Sequence, residues 1–356
     1  MHRDRRFQDL AGTELPILLA PMAGPVGSEI AIAVAEAGGL GALPCALLSP
    51  EQIRAELGII RQRTARPINL NFFCHTPPEP DDARETAWRK RLAAYYVELG
   101  LDPEAPVPNS NRTPFDAQLC EIVEEFRPEV VSFHFGLPEQ ALVERVKATG
   151  AKVLSSATTV DEARWLEEHG CDAIIAQGAE AGGHRGMFLT DDIATQVGTF
   201  ALVPQVVDAV SVPVIAAGGI GDARGIVAAF ALGASAVQIG TAYLFCPEAK
   251  VAALHRQALR ETRSDATAIT NVFTGRPARG IVNRIVREVG PISGLAPEFP
   301  LAGGALAPLK AKSEPAGSGD FMSLWSGQAA RLGREMPASE LTRRLWAEAH
   351  ERMGAA

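Results

Sequence analysis

The run Gln177-Gly178-Ala179-Glu180-Ala181-Gly182-Gly183-His184-Arg185-Gly186 carries the densest chemistry in the chain. It follows Ala173-Ile174-Ile175-Ala176, a short apolar run that reads as a buried strand. A glycine-rich turn, an imidazole and a guanidinium therefore fall at a strand's carboxyl end. Glycines there let backbone N–H groups approach a ligand, and an imidazole exchanges protons near neutral pH. An isolated Gly-Gly-His reads as an ordinary turn with a solvated histidine. This run has matching partners at other strand ends, and it reads as a cofactor site.

The partners are individually plain. Ala20-Pro21-Met22-Ala23-Gly24 is a tight apolar turn, and Asn71 on its own is a turn former. His134, in Ser132-Phe133-His134-Phe135-Gly136, reads alone as a satisfied core imidazole, and Ser155-Ser156-Ala157-Thr158 reads as a helix cap. Ala216-Ala217-Gly218-Gly219-Ile220-Gly221-Asp222 and Gln238-Ile239-Gly240-Thr241 are more telling, because they end two consecutive strands. Glycine turns followed by helix N-termini cradle a phosphate with backbone N–H groups, and (β/α)₈ barrels bind phosphate at that position. The ligand predicted is a phosphate near these two turns with a ring lying over the ends of the first, third and sixth strands. FMN has that shape, and the residue chemistry leaves other phosphorylated ligands open.

Those strand ends imply a scaffold. Apolar runs at residues 17–20, 40–43, 68–73, 130–134, 152–155, 173–176, 213–217 and 236–239 predict eight strands. Between them, residues 29–37, 51–63, 117–126, 139–149, 160–169, 200–210 and 222–232 have helical patterning, several ending on glycine as at Gly38, Gly150, Gly170 and Gly233. Strands apolar on both faces, alternating with helices, make a parallel sheet. Eight such units predict an α/β (β/α)₈ TIM barrel, with an open doubly wound sheet as the alternative. Two stretches interrupt the rhythm: Pro-rich residues 75–115, helical over 83–99, and residues 246–312, helical over 249–263 and 282–289. The predicted division is a barrel of residues 1–74, 116–245 and 313–356, with 75–115 and 246–312 forming a smaller helical cap that binds substrate. Residues 303–319 read as a flexible connection.

Composition restricts the function class. Apolar residues make up 47% of the 356 and charged residues 21%, which suits a globular protein. A formal charge of -8 argues against a nucleic-acid or anionic-membrane binder, which needs a basic surface. Cys45, Cys74, Cys120, Cys171 and Cys246 are scattered without a C-x-x-C, so neither a disulfide framework nor a metal site is predicted. The basic start, Met1 to Phe7, has no apolar stretch behind it, and no apolar run is long enough to span a bilayer. A cytoplasmic enzyme is the expectation.

Together these motifs resemble the nitronate monooxygenase family (formerly 2-nitropropane dioxygenases) in its bacterial class I form. The likeness rests on Ala20–Gly24, Ala37–Gly41, Val131–Gly136, Ser156–Val160, Ala176–Gly186, Ala217–Ile220 and Gln238–Ala242. It continues through Gly275-Arg276-Pro277-Ala278-Arg279-Gly280 and Leu324-Trp325-Ser326-Gly327-Gln328. The resemblance implies an FMN enzyme that oxidises alkyl nitronates, propionate 3-nitronate being typical, with O₂ and without a nicotinamide. It implies FMN contacts from Met22, Asn71, Gln177, Gly182, Gly219, Gln238, Ile239, Gly240 and Thr241. It also implies His184 as the catalytic group, holding an anionic nitro group by a charge-assisted hydrogen bond or removing a proton from a neutral nitroalkane, with His134 beside it as a second substrate ligand. Arg185, Arg276 and Arg279 are expected to make the pocket mouth locally positive. An FMN-dependent NAD(P)H reductase of enoyl thioesters or quinones, and a non-redox phosphate-binding barrel, are the competing readings. The oligomeric state is not legible.

Overall fold

The computed structural model describes residues 4–108, 112–263 and 266–355. Positions 109–111 of the Pro-rich stretch and Met1 to Arg3 lie outside them. Nine parallel-sheet and loop strands run in chain order: β1 (Ile17–Leu19), β2 (Gly41–Pro44), β3 (Ile68–Phe73), β4 (Val130–His134), β5 (Lys152–Ala157), β6 (Ala173–Gln177), β7 (Gly183–His184), β8 (Val214–Ala217) and β9 (Ala236–Ile239). All but β7 form one parallel sheet in the order β1-β9-β8-β6-β5-β4-β3-β2. The ring closes where Leu18 bridges Leu40, with Leu19 N–H donating to Leu40 O at 3.0 Å and Leu40 N–H to Ile17 O at 2.9 Å. The barrel predicted from the strand–helix alternation is the observed one.

Alternation along each strand sorts side chains into two layers. Leu18, Val130, Leu154, Ile175, Ile215 and Ala236 point inward and fill the barrel floor, which Phe7 of the N-terminal helix Arg6–Ala11 plugs. Their strand neighbours Ile17, Val131, Val153, Ile174, Val214 and Val237 face the helices in the main core. Side-chain caps start several of those helices. Ser49 and Gln52 form a reciprocal capping box on Pro50–Arg63, while Asp116, Thr159 and Asp222 cap Ala117–Phe126, Val160–Glu168 and Ala223–Ala231. The C-terminal helix Ala338–Ala355 buries Ala338, Leu341, Leu345 and Ala349 against this core.

The two interruptions pack on each other above the strand ends. The helix Asp82–Glu98 contributes Trp88, Leu92, Tyr95 and Tyr96 to a separate apolar cluster with Val272, Ile285, Leu306 and Leu309. Trp88 Nε1–H donates to Ala302 O at 3.0 Å, which satisfies the indole where it is buried. Two features differ from expectation. The second interruption is not purely helical: β10 (Thr267–Thr270) and β11 (Ala278–Ile281) form an antiparallel ladder that β7 joins, pairing Gly183 with Arg279 and His184 with Ala278. Residues 303–319 are not a loose connection either. They begin in a 3₁₀ turn, Leu301–Leu306, and continue as the helix Ala307–Ser313. The glycines there serve close approach, since a Cβ at Gly303 would stand 2.7 Å from Phe273 O.

Candidate active site

A cavity of about 520 Å³ opens at the carboxyl ends of the strands, under the cap. Met22, Asn71, Gln177, Gln238 and Thr241 line it, as do Gly182, Gly219 and Gly240. His134 and His184 are on the same wall. Ile239 is the exception among the expected cofactor contacts. It follows an inward-pointing Gln238, so its side chain turns outward and is buried in the core beneath the helices.

The end of the cavity near β8 and β9 has the features of an anion cradle. Gly218 and Gly219 adopt φ of 112° and 71°, a conformation that other residues rarely take, and the capped helix Ala223–Ala231 begins just beyond. Residues of the tail close this end: Gly327 N–H donates to Thr241 Oγ1 at 2.9 Å, and Gln328 N–H to Glu180 O at 3.0 Å. Gly182 permits that closure, because a Cβ there would stand 2.5 Å from Gly327 N. Glu180 shares the wall, its carboxylate occupied by Thr199 N–H at 2.8 Å and Thr199 Oγ1 at 2.8 Å. On β9 itself, next to this end, Gln238 Oε1 is a buried acceptor with no partner in the protein. A buried orphan acceptor costs free energy unless a ligand donates to it, so the lining fits a bound group that carries both a phosphate and a hydrogen-bond donor, as FMN does.

His184 sits on β7, held between barrel and cap. Its carbonyl accepts from Gln177 Nε2 at 3.0 Å and from His134 Nε2 at 3.1 Å, and Gln177 Oε1 accepts from Gly186 N–H at 2.8 Å. A carbonyl only accepts, so His134 carries its proton on Nε2. His134 Nδ1 then accepts from Ser156 Oγ at 3.1 Å. Both nitrogens of His134 are thereby spent on the protein. His134, expected as a second substrate ligand, lines the cavity and buttresses the His184 backbone.

Burial keeps these imidazoles neutral. Desolvation, with Arg112, His134, Arg276 and His75 nearby, holds His184 well below the ordinary histidine range. Desolvation likewise pushes His134 and His75 down to about 4. A neutral His184 suits proton abstraction or a neutral hydrogen bond. The expected charge-assisted bond requires it to gain a proton as an anion enters.

The expected arginines are placed otherwise. Arg185 is fully buried and braces the end of β6, donating to Gln177 O at 2.6 Å, Gly178 O at 2.8 Å and Gln196 Oε1 at 2.7 Å. Arg279 donates to Ala179 O at 2.8 Å, and the Arg276 guanidinium lies 4.1 Å from the Phe135 ring centroid. Arg112, Lys250 and Lys310 are the basic residues that line the cavity. Their positions in Pro-rich or helical cap sequence gave no local motif to find them by. Trp325, within the Leu324–Gln328 motif but not singled out there, also lines the cavity, its ring centroid 5.5 Å from that of His184.

Residues 4–348 match the family model described as nitronate monooxygenase. The chain belongs to the nitronate monooxygenase family. It is 43% identical over 342 residues to a nitronate monooxygenase of Pseudomonas aeruginosa, covering 96% of this chain and 97% of the relative. Among solved structures, nitroalkane oxidase from Streptomyces ansochromogenes superposes with a TM-score of 0.89 at 37% identity, covering 99% of this chain and all of the other. FabK from Thermotoga maritima superposes with a TM-score of 0.75 at 28% identity, covering 98% and 97%. Among the described residues no helix is long and apolar enough to cross a membrane, and no group of His, Cys, Asp and Glu is arranged to hold a metal ion.

Proposed function

We propose that this family member is an FMN-dependent oxidoreductase that oxidises small alkyl nitronates, such as propionate 3-nitronate, with O₂ and without NAD(P)H. The observation that carries the reading is a neutral, desolvated His184 on the wall of a cavity whose far side offers an orphan acceptor and a glycine cradle. FMN, when bound, takes electrons from the substrate and passes them to O₂. The chain's own part is binding and orientation. Gly218, Gly219, Gly240 and Thr241 hold the phosphate, while Met22, Asn71, Gln177, Gly182 and Gln238 border the ring. Arg112, Lys250 and Lys310 make the cavity attractive to an anion despite the net charge of -8. A nitronate already carries the electron pair that a nitroalkane must gain by losing a proton, so His184 need act as a base only for neutral nitroalkanes.

Two measurements test this. Denaturing the purified protein releases a yellow compound with the mass of FMN; FAD, or a colourless protein, would refute the cofactor and favour a non-redox barrel. Anaerobic mixing with propionate 3-nitronate bleaches the flavin, whereas NADH and NADPH do not. The reverse pattern would assign the protein to the NAD(P)H reductases.

A further inference from the structure

His184 Nε2 lies 2.9 Å from Thr274 Oγ1, in the cap. Thr274 is 3% exposed and lines a second, smaller cavity of about 220 Å³, which shares Arg112, Lys310 and Ser323 with the main one. Its hydroxyl has one proton and an acceptor of its own, Arg276 O at 3.4 Å, which is long for such a bond. Placing the imidazole proton on Nε2 lets both contacts form in sequence, Nε2–H to Oγ1 and Oγ1–H to the Arg276 carbonyl. Nε2, Oγ1 and the Arg276 carbonyl are then all paired, the state that buried polar atoms favour. The opposite tautomer turns the threonine proton to Nε2 and takes the hydroxyl away from the carbonyl.

We propose that Thr274 is a positioning residue that fixes the proton of His184 on Nε2, leaving Nδ1 as the basic atom of the site. The proposal rests on the reading of His184 as the residue that meets the nitro substrate. With a neutral nitroalkane, the α-C–H bond breaks, its proton goes to Nδ1, and the electron pair stays on the substrate as the nitronate. The imidazolium so formed keeps donating Nε2–H to Thr274 Oγ1, which stabilises it. That help opposes Arg112, Arg276, His134 and His75, the groups around the ring that disfavour its positive charge. A substrate supplied as the nitronate needs no such step. Thr274 therefore matters more for the nitroalkane than for the nitronate.

The direct test is ¹⁵N NMR of the flavin-loaded protein labelled at histidine, with His184→Asn used to assign the signal. Nε2 protonated and Nδ1 bare is expected; a proton on Nδ1 in the resting protein overturns the proposal whatever the kinetics show. The kinetic test compares anaerobic flavin reduction by a nitroalkane and by its nitronate. Thr274→Val, which keeps the shape and removes the acceptor, should slow the nitroalkane reaction about 10-fold, as losing a hydrogen bond to a charged group does. It should leave the nitronate reaction within about 3-fold, and move the acid limb of the nitroalkane profile to lower pH. Thr274→Ser should restore both the rate and the limb. Equal slowing of the two substrates in Thr274→Val, unrepaired by serine, overturns the proposal as a packing effect. An unaffected His184→Asn would instead refute the reading of the site, and the NMR result would still decide the tautomer.

Discussion

His134 donates Nε2–H to the main-chain carbonyl of His184 at 3.1 Å, so one histidine of the cavity is a support for the other. With Gln177 on the same oxygen, the bond fixes β7, which ties the loop after β6 to the ladder of the cap. Similar residue types thus have different tasks.

Breaking that support should be felt in catalysis. His134→Phe removes both the bond to His184 and the one to Ser156. A shift of the reacting group by about 1 Å costs on the order of 10²-fold. Stopped-flow reduction by propionate 3-nitronate should therefore slow by roughly 10- to 100-fold with flavin still bound; a wild-type rate would show that His134 does not hold His184 in place.

His184→Asn keeps a hydrogen-bond donor and removes the base. Flavin retention should be unchanged, and reduction by nitronates should fall by on the order of 10²-fold, the usual worth of one preorganised contact in the transition state. Reduction by neutral nitroalkanes should fall further. The ratio of the two losses is the quantity to measure, and parity between them would argue against proton abstraction by this residue.

The buried imidazoles also predict acid lability. His134 titrates at about 4 in the fold against an ordinary value of 6.5. Between those values the unfolded chain binds more protons than the native one, so stability rises with pH across the window. The contribution is complete above about 6.5 and is lost as pH falls toward 4. His134 alone should make the protein about 2 kcal/mol less stable at pH 5 than at pH 8. Denaturant midpoints at the two pH values, compared with His134→Phe, measure it; an equal pH dependence in the variant would refute the assignment.

Gly182→Ala tests the closure over the cradle. The added Cβ would stand 2.5 Å from Gly327 N and 2.6 Å from Ser326 C, both backbone atoms with little room to give. Overpacking of this kind costs about 1–3 kcal/mol. A lowered melting temperature and a weakened hold on flavin are expected together. A loss of stability alone would mean that the tail takes no part in binding.

The barrel was legible because its signals are local: two-sided apolar runs at 130–134 and 173–176, and glycines at positive φ closing helices, as at Gly150 and Gly233. Ten of the eleven residues expected to meet cofactor or substrate line the cavity, for the same reason. Ile239 fails by one step of strand alternation. The other gaps are long-range. Nothing near Gly183-His184 marks a strand, because its partner Ala278-Arg279 lies far along the chain. Arg185 and Arg279 read as charges for the pocket mouth, yet backbone carbonyls gathered by the fold absorb them. Arg112 and Lys310 reach the cavity only because the two interruptions pack together.

The shared strand has a consequence for descent and for engineering. Many (β/α)₈ enzymes exchange the loops above the barrel as independent parts, keeping the chemistry and changing what it acts on. Here the histidine is stitched by β7 into the ladder of the segment that shapes the substrate chamber. A cap transplanted from a relative must bring a matching β11, or the barrel loses the register of His184. On the proposed function, substrate range and proton chemistry are tied together in this chain through one pair of strands.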